Sequence, residues 1–401
     1  MKQGWEMRQL GEVCEVIAGQ SPASKFYNSE GIGLPFYQGK KQFTDKYIGD
    51  PNTWTSRITK EAFEGDILMS VRAPVGPVNF SKQHICIGRG LASIRASKSI
   101  DKEFLFNFLL KHENEIDGNV GAVFNSINKA QIGSIPIPVP PLPEQERIVA
   151  ILDICFEAID KAKANVERNT QNAKDLFQSQ LNQILAQKGD GWVENKLDEL
   201  TTKIGSGATP RGGKTSYKES GVPLIRSLNV YDDGFRKRNL VFIDDEQASK
   251  LDNVEVKMGD VLLNITGASV ARCCVVPKEY LPARVNQHVS IIRVKPEIMT
   301  SKYLHYSLIS DDNKDLLLGI GEQGATRQAI TKEQIKGFAV SYPADIFNQK
   351  TMVAQLDDLN EQTQSLESKY RQEFDSLDEL KKSILHKAFN GELTETEEKA
   401  A

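Results

Sequence analysis

Two stretches of this chain repeat apolar positions in alternating steps of four and three residues. The first runs through Ile148, Leu152, Cys155, Ile159, Ala162, Val166, Asn169, Ala173 and Leu176. The second, 204 residues later, runs through Met352, Leu356, Leu359, Thr363, Leu366, Tyr370, Glu373, Leu377 and Leu380. A stripe held over four heptads is the seam of a coiled coil, because a 3.5-residue repeat keeps one narrow face towards a partner helix. One amphipathic helix packed on a globular core would show a wider apolar face. The pattern predicts long helices over 144–187 and 348–390. Asn169 and Glu373 fall at one equivalent seam position, where a polar residue costs stability and fixes register.

Ahead of each helix the period changes. Short strand-like runs such as "DILMSV" (66–71) and "DVLLNI" (260–265) are punctuated by Gly and Pro, and "IPIPVPPLP" (135–143) excludes a helix or a central strand. These segments also repeat in order. "GW" at 4–5 answers "GW" at 191–192, "GLPF" (33–36) answers "GVPL" (221–224), and "EGDILMSV" (64–71) answers "MGDVLLNI" (258–265). "LASIR" (91–95) is aligned with "HVSII" (288–292), "GAVFNSINKAQI" (121–132) with "GATRQAITKEQI" (324–335), and "QERIVAILD" (145–153) with "QKTMVAQLD" (349–357). The offset drifts from 187 to 204, so the second copy carries insertions, which belong in loops.

The chain is therefore read as α+β: two pseudo-symmetric α/β domains separated by two long helices in an antiparallel coiled coil. The first domain occupies 1–143, the first helix 144–187, the second domain 188–347, the second helix 348–390 and an acidic tail 391–401. Antiparallel pairing follows from the short linker "QKGDGW", which leaves the second helix to run back along the first. About 40 residues at ~1.5 Å rise make a strut of roughly 60 Å, with the two heads related by a pseudo-twofold axis.

Composition narrows the function classes. At 401 residues, 39% hydrophobic and 26% charged, the chain is an ordinary globular protein of more than one domain. Nothing approaches a membrane span, and "MKQGWEMRQL" is not a signal peptide. Five cysteines without CxxC spacing and five scattered histidines give no disulfide framework and no metal site, which fits a reduced cytoplasmic setting.

The net charge of −4 hides an uneven distribution. Ile67–Lys98 holds five basic residues and no acid, Val261–Lys295 five against one, and Lys203–Arg238 eight against three. Basic heads on acidic helices are the footprint of phosphate binding. The candidate DNA-contacting residues, chosen by loop position and charge, are Gln38, Lys40, Lys41, Arg72 and Arg89 in the first head. In the second they are Arg211, Lys214, Tyr217, Arg226, Asn229, Arg236, Arg272, Arg327 and Gln328. "GSGATPRGGKTSY" (205–217) contains Gly213-Lys214-Thr215, yet it lacks the first glycine of a nucleotide-binding loop and the strand-to-helix context. Gly205, Gly207 and Pro210 are expected to shape a turn instead. No methyltransferase, nuclease, helicase or HExxH string stands out, so no catalytic residue is assigned; "NQH" (286–288) faces "GRG" in the first copy and is not read as a catalytic cluster.

"IPIPVPPLPEQERIVAILD" (135–153) resembles the linker-to-helix region of the specificity (S) subunit of type I restriction-modification enzymes. "GSGATP", "GDILMSV", "GDVLLNI" and "SILHKAFNGEL" (383–393) resemble further segments of that family. The second copy departs from it, with "YPADIFNQKTMVAQLDDL" where the family often repeats its Pro-Leu-x-Glu-Gln element. The resemblance implies a non-catalytic reader of double-stranded DNA, each head taking half of a bipartite target while the coiled coil sets the spacing and docks methyltransferase (M) subunits. It implies two M subunits that use S-adenosylmethionine and restriction (R) subunits that use ATP and Mg, with no cofactor in this chain and no membrane. The alternative is a coiled-coil scaffold whose heads bind proteins.

Overall fold

The computed structural model describes residues 2, 4–118, 126–322 and 328–394. The chain condenses into two compact units: Met1–Glu167 with Arg371–Ala401, and Arg168–Tyr370. The fold is α+β, each unit pairing a mixed head with antiparallel segments of two long helices.

In the first unit, strands β1 (Glu6–Gln9), β2 (Cys14–Ala18), β3 (Leu34–Tyr37), β4 (Ile67–Ser70), β5 (Val78–Phe80), β6 (Ile85–Ile87), β7 (Leu91–Ala96) and β8 (Pro136–Val139) are joined by helices α1 (Lys102–Gly118) and α2 (Leu142–Ala186). Strands β2, β7, β4 and β5 form one antiparallel sheet in that order, while β3 and β6 pair in parallel at the centre of a second sheet. Strand β4 is apolar at nearly every position because both its faces are covered. Ile67 and Met69 point into the core against Phe104 and Leu105 of α1, and Leu68 points into a smaller core with Tyr37, Ile85 and Ile87. The proline strip becomes β8, confined to a two-stranded ribbon with β1.

The second unit repeats the plan with β9 (Trp192–Lys196), β10 (Thr201–Ser206), β11 (Val222–Ile225), β12 (Val261–Asn264), β13 (Cys273–Val275), β14 (Ala283–Val285), β15 (Val289–Val294) and β16 (Ala339–Pro343). Helices α3 (Ser301–Ile309) and α4 (Asp311–Glu322) complete it, with the part of α5 (Ile346–Asn390) up to Tyr370 and the part of α2 from Arg168 onward. Strand β12 divides two cores as β4 does, with Val261 and Leu263 on one side and Leu262 on the other.

Register corrects one alignment of the repeat. Ile67 lies opposite Ile94, and Val261 lies opposite Ile292. "LASIR" therefore answers "VSIIR" (289–293) rather than "HVSII", and Arg95 answers Arg293. A one-residue slip would have exchanged the buried and exposed faces of the strand. Both arginines hold a buried aspartate: Arg95 donates to Asp66 at 2.9 and 2.8 Å, and Arg293 to Asp260 at 2.7 and 2.8 Å. These bonds raise the pKa of both guanidinium groups.

A second repeated device fixes the start of each long helix. The side chain of Gln145 is fully buried, accepting from the Asp101 amide (2.7 Å) and donating to the Pro140 carbonyl (2.8 Å). Gln349, also fully buried, accepts from the Thr300 amide (3.0 Å) and donates to the Ile298 and Pro343 carbonyls (2.9 Å each).

The helices pair antiparallel in both units. In the first, Lys163 is ion-paired with Asp378, and Asp160 lies 3.9 Å from Lys381. In the second, Lys174 lies 3.7 Å from Glu367, and Leu181 shares a core with Val353 and Leu356. The buried stripe departs from the heptad pattern, however. Ile148, Leu152, Ile159, Val166, Ala173 and Leu356 are buried, and Met352, Leu359, Tyr370 and Leu377 are half-buried. Asn169 is exposed and Leu176 is 57% exposed, while the next residues, Thr170 and Phe177, turn inward. Likewise Leu366 (40% exposed), Glu373 and Leu380 (47%) lie outside the stripe, and Glu367, Phe374 and Lys381 take their places. An α-helix has 3.6 residues per turn, so a straight helix drifts about 20° per heptad and its buried face moves on by one residue. Asn169 and Glu373 therefore do not set register from within the seam.

Candidate nucleic-acid interface

The parallel pair at the centre of each head brings two strand ends to one place. In the first unit Phe36 lies opposite Cys86 and Tyr37 opposite Ile87, after which both segments turn. The Gly88 amide donates to the Tyr37 carbonyl (2.8 Å) and the Gly90 amide to the Gln38 carbonyl (3.1 Å). A Cβ at Gly90 would stand 2.3 Å from the Gln38 oxygen, so glycine is required for the two turns to touch. Arg89 sits between these glycines, exposed, with its own amide on Ser21 Oγ (3.2 Å). Gln38 is exposed, and Lys40 and Lys41 are exposed on the single turn Lys40–Gln42 that follows. Val71 donates to the Gly90 carbonyl (3.0 Å), which carries the exposed Arg72 to the same turns. All five candidates of the first head are gathered on one loop cluster.

The second unit builds the same cluster from different side chains. Leu224 lies opposite Arg284 and Ile225 opposite Val285. Asn286 donates to the Ile225 carbonyl, and Gly207 to the Asn286 carbonyl (3.1 Å each). A Cβ at Gly207 would stand 1.7 Å from the Val285 oxygen. The glycines of 205–217 thus serve close packing against a strand end. Gly213–Ser216, which includes Lys214, is one 3-10 turn with no helix behind it, so the layout of a nucleotide-binding loop is absent here. Arg211 is exposed on the turn before it.

The remaining candidates divide. The Arg226 guanidinium lies over the Tyr217 ring (5.3 Å) and donates to the Asn239 carbonyl (2.5 Å). Arg236 and Arg272 flank Tyr231 at 5.2 and 4.8 Å, and Arg236 is also ion-paired with Asp233. Gln328 is exposed, its carbonyl accepting from the Gly267 amide (3.0 Å). Asn229 is fully buried, and its amide donates to the Arg236 (2.8 Å) and Arg238 (3.3 Å) carbonyls. It shapes the loop and cannot touch a base. Arg327 lies outside the described residues.

Charge counting along the sequence overstated the free cations. Arg284 is buried, donating to the Ala248 carbonyl (3.1 Å) and to Asp252 (2.5 Å), and Arg95 and Arg293 are bound to aspartates. A polar run that charge could not reveal takes its place. Asn286, Gln287 and His288 occupy the turn equivalent to Gly88, Arg89 and Gly90, each run following the strand that pairs in parallel at the head's centre. Gln287 Oε1 accepts from Thr209, Gln287 Nε2 meets His288 Nε2 (3.1 Å), and His288 Nδ1 meets Thr266 Oγ1 (2.6 Å). The sequence signal was the "NQH"–"GRG" correspondence itself, which marks a position where chemistry varies on a fixed backbone.

A duplicated head that presents cationic and amide groups from strand-end turns, on antiparallel helices, belongs to the class of tandem recognition proteins. The family described as "Type I restriction modification DNA specificity domain" matches twice, over residues 2–168 and 189–374, and the chain belongs to that family. The EcoBI specificity subunit of Escherichia coli is 22% identical over 97% of this chain and 86% of its own length. Two Methanocaldococcus jannaschii relatives match over less: the MjaX specificity subunit is 41% identical over 43% of this chain, and the MjaIX specificity subunit is 26% identical over 55%. These two matches span about half of each relative, 42% and 57%. Among solved structures, a chain from a study of type I R-M complex assembly and conformational transition superposes with a TM-score of 0.75 at 22% identity, covering 98% of this chain and 99% of that one. The HsdS subunit of Thermoanaerobacter tengcongensis gives 0.53 at 21% identity, covering 98% of each chain. Both show the fold.

Proposed function

We propose that this chain is the non-catalytic, DNA-reading subunit of a type I restriction-modification assembly. The observation that carries this reading is the loop cluster at equivalent strand ends in both copies, within a chain of this family. Its exposed Arg, Lys and Gln side chains suit phosphate contacts and base-edge hydrogen bonds. Each head reads one half of a bipartite duplex target, and the paired helices set the number of base pairs between the halves. Two methyltransferase subunits holding S-adenosylmethionine dock on the helices, and restriction subunits supply ATP- and Mg-dependent cleavage in the cytoplasm. No observation favours the protein-scaffold alternative. Among the described residues no helix is long and apolar enough to cross a membrane.

The test is to co-express the chain with a methyltransferase subunit of the same system and map methylated bases across the host genome. A bipartite motif that disappears when this chain is omitted is expected. Methylation independent of the chain, with no gel shift of duplex DNA by the complex, would refute the reading.

A further inference from the structure

The two loop clusters share a backbone and differ in what they hold out. At the tip of the turn after β6 stands Arg89; at the equivalent tip after β14 stands Gln287. We infer that these two residues are equivalent specificity determinants, with Arg89 selecting guanine in one half-site and Gln287 selecting adenine in the other. The inference rests on the DNA-reading function proposed above.

Arg89 is suited to guanine by what it lacks as well as by what it is. Arg95, Arg284 and Arg293 spend their guanidinium groups on Asp66, Asp252 and Asp260. Among the described residues the Arg89 side chain has no hydrogen bond or ion pair, while its backbone is pinned by Ser21 and by the glycines on either side. A free planar fork on a fixed base can donate two parallel N–H bonds to O6 and N7 of guanine in the major groove.

Gln287 is held on both sides. Its carbonyl oxygen accepts from the Thr209 hydroxyl, and its amide nitrogen meets His288 Nε2 at 3.1 Å. His288 is fixed in turn by Thr266 Oγ1 (2.6 Å) and through its backbone amide by Asn286 Oδ1 (3.0 Å). A side-chain amide offers two acceptor sites and two donor hydrogens. One of each is used, so one acceptor and one donor remain on a side chain that is exposed. That pair is the complement of the adenine major-groove edge, which presents the N6 amino donor and the N7 acceptor. Fixing the amide before binding removes rotamer entropy that a free glutamine would lose at the interface.

The experiment uses the full chain in complex with its methyltransferase subunit, a duplex library randomised over the whole site, and sequencing of the bound fraction. The wild-type complex should enrich a bipartite sequence with an invariant guanine in one half and an invariant adenine in the other. Arg89→Gln should replace or relax the guanine by about tenfold or more and leave the other half unchanged. Gln287→Arg should convert the adenine to guanine in its half alone. Thr209→Val, which frees one side of the amide, should weaken the adenine preference without altering the guanine. Unspecific duplex binding, measured alongside, reports that each variant is folded; Arg89→Lys and Gln287→Glu replace any variant that is not. A bipartite wild-type motif that survives both Arg89→Gln and Gln287→Arg unchanged would overturn this inference alone. Enrichment of no motif by the wild-type complex would instead sink the DNA-reading function.

Discussion

Replacing Gln349 by Met keeps the volume of a fully buried side chain and deletes its polar head. Three bonds go: one from the Thr300 amide at 3.0 Å and two to the Ile298 and Pro343 carbonyls at 2.9 Å. Each buried backbone group left without a partner costs about 1–3 kcal/mol. Partial relaxation brings the expected loss to roughly 3–6 kcal/mol, a large share of the ~5–15 kcal/mol that stabilises a typical domain. For a unit of this size each kcal/mol moves the melting point by roughly 2–4 °C, so a fall of about 10 °C or more is expected. Urea unfolding followed by circular dichroism measures the loss, and hydrogen exchange assigns it to Arg168–Tyr370. The neighbouring Lys350→Ala, at an exposed position, should stay within about 0.5 kcal/mol. A Gln349→Met chain destabilised by less than about 1 kcal/mol would refute the idea that this glutamine clamps the helix start.

Three further outcomes follow from the same geometry. Leu356 is fully buried and Leu366 is 40% exposed, so Leu356→Ala should cost about 2–5 kcal/mol and Leu366→Ala under ~1 kcal/mol in urea unfolding, reversing the equal roles a heptad assigns them. Burial pushes the Glu144 carboxyl up, but hydrogen bonds from Thr394, Lys2 and Arg147 outweigh it and hold the pKa at about 2 against an ordinary 4.5. Its stabilisation is complete above 4.5 and is lost as the pH falls towards 2, so the wild type should lose more stability than Glu144→Gln across that window when unfolded by urea at each pH. Lys40→Ala with Lys41→Ala should weaken binding to every duplex alike and reduce the slope of log K against log salt by about 0.9 for each phosphate no longer neutralised; an unchanged slope in fluorescence anisotropy would remove both from the interface.

The repeat, the two helices and the polar tips of the first head were legible because they rest on local signals. A narrow apolar stripe marks a helix, and short apolar runs such as "DILMSV" and "DVLLNI" between Gly and Pro mark strands. Three things were not legible. The stripe's drift from Asn169 to Thr170 reflects the difference between 3.6 residues per helical turn and a 3.5-residue repeat, which a short heptad count does not resolve. Asn229 is used up by the carbonyls of its own loop, Arg236 and Arg238, and Arg284 by Asp252, 32 residues away, and a count of polar and charged residues shows neither. Gln287 was passed over because "NQH" was weighed only as a catalytic cluster, although its hydrogen bonds to Thr209 and His288 need only the right backbone turn. Pattern predicts where a side chain sits along an element; it does not say whether something else has already used that side chain.

The first unit closes on residues from the far end of the chain. Leu385, Ala388 and Phe389 of α5 are buried in its core, with the Phe389 ring 5.0 Å from Phe104 and 5.5 Å from Phe108. On the ribosome, more than two hundred residues separate the emergence of Glu167 from that of Phe389, and at about 5–20 residues per second the wait is roughly 10–45 s. Throughout that interval the nascent head holds an open apolar cleft where three side chains have yet to arrive. Chaperone engagement should therefore peak late in synthesis, and stop codons within the last helix should unravel the part of the protein that was made first.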